Sequence, residues 1–124
     1  MATGAAAGAL LGSRRAALLA GPVLHLAGDL VPHWDIASAR FEKLSGLAFL
    51  GALAATRGPL DPATLGAVAA EAPDLEHVVR LPRPGGRKLF PSHRFAGWHR
   101  PGGLSTGVQV FAAGLILGAL LRRT

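Results

Sequence analysis

Apolar residues in this chain come in long runs broken by proline and glycine, and nowhere do they alternate with polar residues over a useful length. A half-buried strand needs that alternation. Without it no sheet is expected, and helices must carry the fold. Residues 3–12 read as a short helix of small residues. A second covers 14–31, with a kink expected at Pro22 and a stop at Pro32, since the residue before proline disfavours helix. A third spans 36–56. Asp61-Pro62 opens a fourth, an N-cap followed by proline at the first helical position, and Pro73 closes it. The last covers 104–121. The expected architecture is all-α, with four to five helices in one domain over 1–124, arranged as a membrane-associated bundle with a long basic loop at 78–103.

The membrane enters through composition. Half of the 124 residues are apolar and only 16% are charged, against roughly 25% in an average soluble domain. The run 104–121 has Gln109 as its one strongly polar residue, which makes it the candidate membrane helix, since a span takes about 20 apolar residues. Arg122 and Arg123 would then lie at the interface or complement the helix dipole. Gly4 and Gly8, Gly8 and Gly12, and Gly114 and Gly118 form small-xxx-small pairs, a habit of membrane helix packing that an Ala/Gly-rich composition also produces. Arg14-Arg15 divide two apolar segments instead of preceding one, so residues 5–31 are not expected to be a cleaved signal. The expected location is the cytoplasmic membrane of a prokaryote.

The net charge is +6, and much of it is concentrated. Arg80, Arg83, Arg87, Lys88, Arg94 and Arg100 fall in one proline- and glycine-rich stretch with no acid among them. This is either a solvated loop, the positive-inside flank of membrane helices, or a site for an anionic partner such as lipid head groups or phosphates. No recognised nucleic-acid-binding pattern accompanies it.

The chemistry lies in the histidines. All five fall in two regions: His25-Leu-Ala-Gly-Asp29-Leu-Val-Pro-His33-Trp-Asp35, and the stretch from Pro73-Asp74-Leu75-Glu76-His77 through His93 to His99. An apolar helix rarely carries so many polar groups without partners for them. His25 and Asp29 are four apart, so they share a helix face. Asp74 and His77 are three apart, again on one face. The candidate metal ligands are therefore His25, Asp29, Asp74 and His77. His93 and His99, in the basic loop, are candidate catalytic groups or extra ligands. Asp35, Glu76 or His33 are candidates for a second metal or a base, and Arg94 and Arg100 for neutralising an anionic substrate. With no cysteine, thiolate sites and disulfides are excluded, and His with carboxylate suits zinc or manganese. The plain alternative is that each His–Asp pair is an intrahelical hydrogen bond in a non-enzymatic membrane protein. A third reading is a basic adaptor that binds anionic lipid or nucleic acid through residues 80–100.

Pro73-Asp74-Leu75-Glu76-His77, followed by His93-Arg94 and Trp98-His99, resembles the "PDxDH … HRxxTH" pattern of membrane-bound metal-dependent hydrolases of the DUF457 type. His25-Leu-Ala-Gly-Asp29 is similar to that family's "HxxxD" helix, also seen in zinc-dependent phospholipase C-like proteins. The resemblance implies an all-helical, membrane-embedded metal site with hydrolase chemistry. Four features depart from the pattern: the motif order is inverted, Glu76 replaces the family's Asp, Trp98 stands where the family has Thr or Ser, and the family's early Thr-His has no histidine here, only Thr3.

Overall fold

In the computed structural model, which describes residues 1–122, the chain is helical, with no strand among those residues. The helices are α1 (Ala2–Leu11), α2 (Arg14–Leu30), α3 (Ala39–Arg57), α4 (Pro62–Glu71), α5 (Leu75–Val78), α6 (Pro91–Arg94) and α7 (Thr106–Leu121), with 3-10 turns at Ala72–Asp74 and Pro84–Gly86. The ends follow local chemistry. Ser13, Ser38, Asp61 and Ser105 each accept a backbone N–H with the side chain at a helix start. The Asp61-Pro62 start is as expected, with Ala63 N–H donating to Asp61 Oδ1 at 2.8 Å. Pro22 lies inside α2, which continues through it to Leu30.

α4 is the centre of the molecule, packed by α1, α2 and α3. Its buried face is made of Ala63, Thr64, Gly66, Ala67, Ala69 and Ala70. Such small side chains let backbones touch. A methyl group on Gly4 would run into the carbonyl of Gly66, and one on Gly8 into the carbonyl of Pro62. The Gly4–Gly8 pair is thus a real helix–helix contact, whereas Gly12, Gly114 and Gly118 face open space. Gly12 instead ends α1 in the left-handed conformation, at φ 63°. A second patch of core joins Ala5, Phe49, Leu53, Ala67 and Leu120, so that α7 closes the bundle over α1 and α3. Arg57 ties this end together, donating to Asp61 Oδ1 and to the Leu120 carbonyl, both at 3.1 Å.

Two expectations change. α7 has 16 residues, which at 1.5 Å per residue gives about 24 Å, short of the roughly 30 Å hydrocarbon core. Among the described residues no helix is long and apolar enough to cross a membrane, which corrects the reading of 104–121 as a span. The Ser105 cap starts α7 two residues later than the apolar run suggests, and Gln109 is spent on the Trp34 carbonyl at 2.8 Å. Arg123, half of the expected terminal arginine pair, lies outside the described residues. The second change concerns the basic stretch, which folds back onto α5: Arg83 donates to the Glu76 carbonyl, and the amides of Leu89 and Phe90 donate to the Glu76 carboxylate.

Candidate metal centre

Three elements converge on one point: the C-terminal half of α2, the turn joining α4 to α5, and α6. α2 contributes His25 and Asp29 on one face, as their spacing predicts. The turn contributes Asp74, and α6 contributes Ser92 and His93. Pro73 and Pro91 stand in the first two positions of short helical turns, and the ligand follows each within two residues.

The imidazole of His25 is fixed by its far side. Nδ1 lies 2.7 Å from the carbonyl of Ala70 in α4. A carbonyl only accepts, so Nδ1 carries a proton, and in the neutral imidazole Nε2 carries the lone pair. That Nε2 is buried and has no hydrogen-bond partner. Facing it are Asp29 Oδ2 at 3.2 Å and Asp74 Oδ1 at 3.5 Å. In that neutral form a lone pair faces two carboxylate oxygens, which is repulsive unless a proton or a metal cation stands between them.

His93 repeats the arrangement. Its Nδ1 donates to Glu76 Oε1 at 2.6 Å, leaving Nε2 to face Asp74 Oδ1 at 3.4 Å and Asp29 Oδ2 at 3.8 Å. Glu76 is 2% exposed. Burial pushes its carboxyl up, but bonds from the Leu89 amide, His93 and the Phe90 amide outweigh that and hold it below the usual carboxylate range. It therefore remains an anion able to orient His93. The buried Ser92 hydroxyl donates to Asp29 Oδ2 and fixes that carboxylate as well.

Four ligands at 2.0–2.1 Å around a tetrahedral ion lie about 3.3 Å from one another. The four imidazole–carboxylate separations here run from 3.2 to 3.8 Å. Two neutral imidazoles and two carboxylates also balance a doubly charged cation. His25, Asp29 and His93 form one metal-competent triad, and Asp74, His77 and His93 form a second that shares His93.

The pocket is asymmetric. The side chains of His25, Asp29 and His93 are only 9%, 13% and 5% exposed, whereas those of Asp74 and His77 are 45% and 42% exposed and make the solvent side. Partial burial raises the Asp74 carboxyl above its ordinary value, even with His25 and His93 beside it. His77 lies at the rim, its Nε2 4.0 Å from Asp74 Oδ1. Lys88 Nζ approaches His77 Nδ1 at 3.0 Å, and His77 Nε2 lies 3.2 Å from His93 Nδ1. Burial first, then His93 and Lys88, hold the His77 imidazole below its ordinary value.

The structure thus brings together His25, Asp29, Asp74 and His77 with His93, while His99 joins His33 and Asp35 in a separate cluster. Arg94 lies over the Phe95 ring and Arg100 donates to the Gly97 carbonyl. The cation at the rim is Lys88. Sequence reasoning did not foresee the orienting roles of Glu76 and Ser92. Glu76 carried one signal, as an acid one residue from His77 in a stretch otherwise rich in base. Ser92 carried none beyond preceding a histidine.

No family model, curated protein or solved structure matches this chain.

Proposed function

We propose that this protein is a metal-dependent hydrolase whose divalent ion, zinc by the donor set, is held by His25, Asp29, Asp74 and His93. The observation that carries this reading is the buried Nε2 of His25, which makes no hydrogen bond and is turned by the Ala70 carbonyl toward two carboxylates. When bound, such an ion would supply Lewis-acid polarisation of a scissile ester through a fifth position on the open, Asp74 side. The chain's own groups do the rest. Asp74, on the open side, is the ligand that meets substrate first. His77, half exposed at the rim, is placed to exchange a proton with a leaving oxygen, and Lys88 beside it draws in an anionic group such as a phosphate ester. His93 takes the place of His77 in the ligand set, because its Nε2 faces both carboxylates.

The resemblance to membrane-bound metal-dependent hydrolases agrees with this reading. We further propose that the chain works at a lipid surface. Leu10, Leu19, Val23 and Phe111 are large and between 65% and 80% exposed, and the basic segment 80–100 suits anionic head groups. Flotation with anionic vesicles tests this part. Binding that falls steeply with salt is expected, and a chain that stays unbound at low salt contradicts it.

The central part is tested by metal analysis of purified protein, with turnover of nitrophenyl phosphate mono- and diesters. One tightly held ion and metal-dependent turnover are expected, with both lost in His25→Gln and Asp74→Asn. Unchanged metal content in both variants would sink the reading.

A further inference from the structure

Beyond the buried centre, a second group of ligating atoms has the same composition and a similar construction. We propose that His33, Asp35 and His99 form a second divalent-cation site, of the kind that takes zinc, and that the ion fastens the segment around His99 to the exit of α2. This inference does not depend on the hydrolase reading.

The ligating atoms converge on one carboxylate oxygen. His33 Nε2 lies 3.8 Å and His99 Nε2 3.3 Å from Asp35 Oδ1, and the two imidazoles stack at 4.8 Å between centroids with planes 25° apart. One ligand atom from each residue falls within 4.8 Å of the others. The ring of His33 is set as that of His25 is set: Nδ1 lies 2.7 Å from a backbone carbonyl, here that of Val31. Nδ1 therefore carries a proton, and in the neutral ring the lone pair of Nε2 is left on the side of the carboxylate, which is the orientation a metal ligand needs.

The backbone beneath the cluster is braced. His33 N–H donates to the Arg100 carbonyl, Trp34 N–H to that of Leu104, and Leu104 N–H to that of Pro32. Thr106 and Gln109 at the start of α7 donate to the carbonyls of Asp35 and Trp34. Gly103, at φ 72°, lies so close to Pro32 that a methyl group there would strike its carbonyl. Pro32 and Leu104 thus hold the two strands of chain in one register while the side chains of Asp35 and His99, 76% and 36% exposed, stay open to solvent. Three protein ligands with room for water suit a tetrahedral ion. Both sites follow one plan. α2 and its exit supply a His–Asp pair to each, and segment 91–100 supplies His93 to one and His99 to the other. The second site, being open, holds its ion more weakly.

The test is a zinc titration of the metal-free full chain against a chromophoric chelator, for wild type, His99→Gln, Asp35→Asn and His25→Gln. Wild type is expected to take up a weaker equivalent whose dissociation constant rises at least about tenfold in His99→Gln and Asp35→Asn and stays unchanged in His25→Gln. The ring 15N signals of His33 and His99 in the wild type are expected to shift with that equivalent, a readout that no folding defect in a variant can mimic. Zinc uptake in His99→Gln and Asp35→Asn equal to wild type, with both ring signals unmoved, would overturn the site. A wild type that takes up a single tight equivalent, lost in His25→Gln, with no weaker one beside it would overturn the site as well.

Discussion

Glu76 is the residue on which the buried centre's order rests. It touches no candidate metal position itself. It holds His93 through one oxygen while the amides of Leu89 and Phe90 hold the carboxylate. Losing such an orienting partner weakens metal binding by about 10–100-fold. Glu76→Gln is therefore expected to bind zinc that much more weakly in a chelator competition while retaining its helix content. The same residue predicts a pH dependence. Its folded-state carboxyl lies below the ordinary value of 4.5, so its stabilisation is fully present above that pH and is lost as pH falls through the folded value. The stability gap between metal-free wild type and Glu76→Gln, followed by urea unfolding, should shrink below pH 4.5. A gap that widens there would contradict the assignment. None of this could be read from the sequence, where Glu76 looks like one more acid beside His77. Its role depends on a stretch more than ten residues away folding back to deliver two amides.

The helices themselves were far more legible. Proline and glycine mark their ends in the sequence, and Asp61-Pro62 does in the structure what that pair does in isolation. The 3.6-residue period put His25 and Asp29 on one face, and they do share the site. What the period could not show is which glycines matter. Gly4 and Gly8 belong to a motif that also fits Gly114 and Gly118, yet only the first pair meets another helix. This separates two substitutions. Gly66→Ala forces a methyl group against the backbone of Gly4 and should cost about 1–3 kcal/mol, seen as a lower thermal midpoint. Gly114→Ala adds a methyl in open space within α7 and should gain roughly 0.5–1 kcal/mol from helix propensity. Equal effects from the two would contradict the packing of α1 on α4. α7 also shows how an apolar run can mislead. Its composition resembles a span, but the Ser105 cap and the bond from Gln109 to Trp34 give it a shorter, anchored form.

At the scale of the whole molecule, the proposed ion is a joint. His25 and Asp29 come from α2, Asp74 from the turn after α4, and His93 from α6, so ligands up to 68 positions apart in sequence share one centre. The order of the motifs carried no information about that contact. Their convergence follows from α4 lying against α2, and from segment 80–100 folding back onto α5. An ion bound only by the folded chain stabilises it by about 2.7 kcal/mol at a hundredfold excess over its dissociation constant, a rise of roughly 10 °C in thermal midpoint for a domain of this size. X-ray absorption at the zinc edge of the singly loaded protein tests the central claim most directly. The account predicts a shell of two imidazole nitrogens and carboxylate oxygens at about 2.0–2.1 Å, with one nitrogen lost in His25→Gln and one in His93→Gln. A shell without imidazole, or one unchanged in both variants, would contradict it.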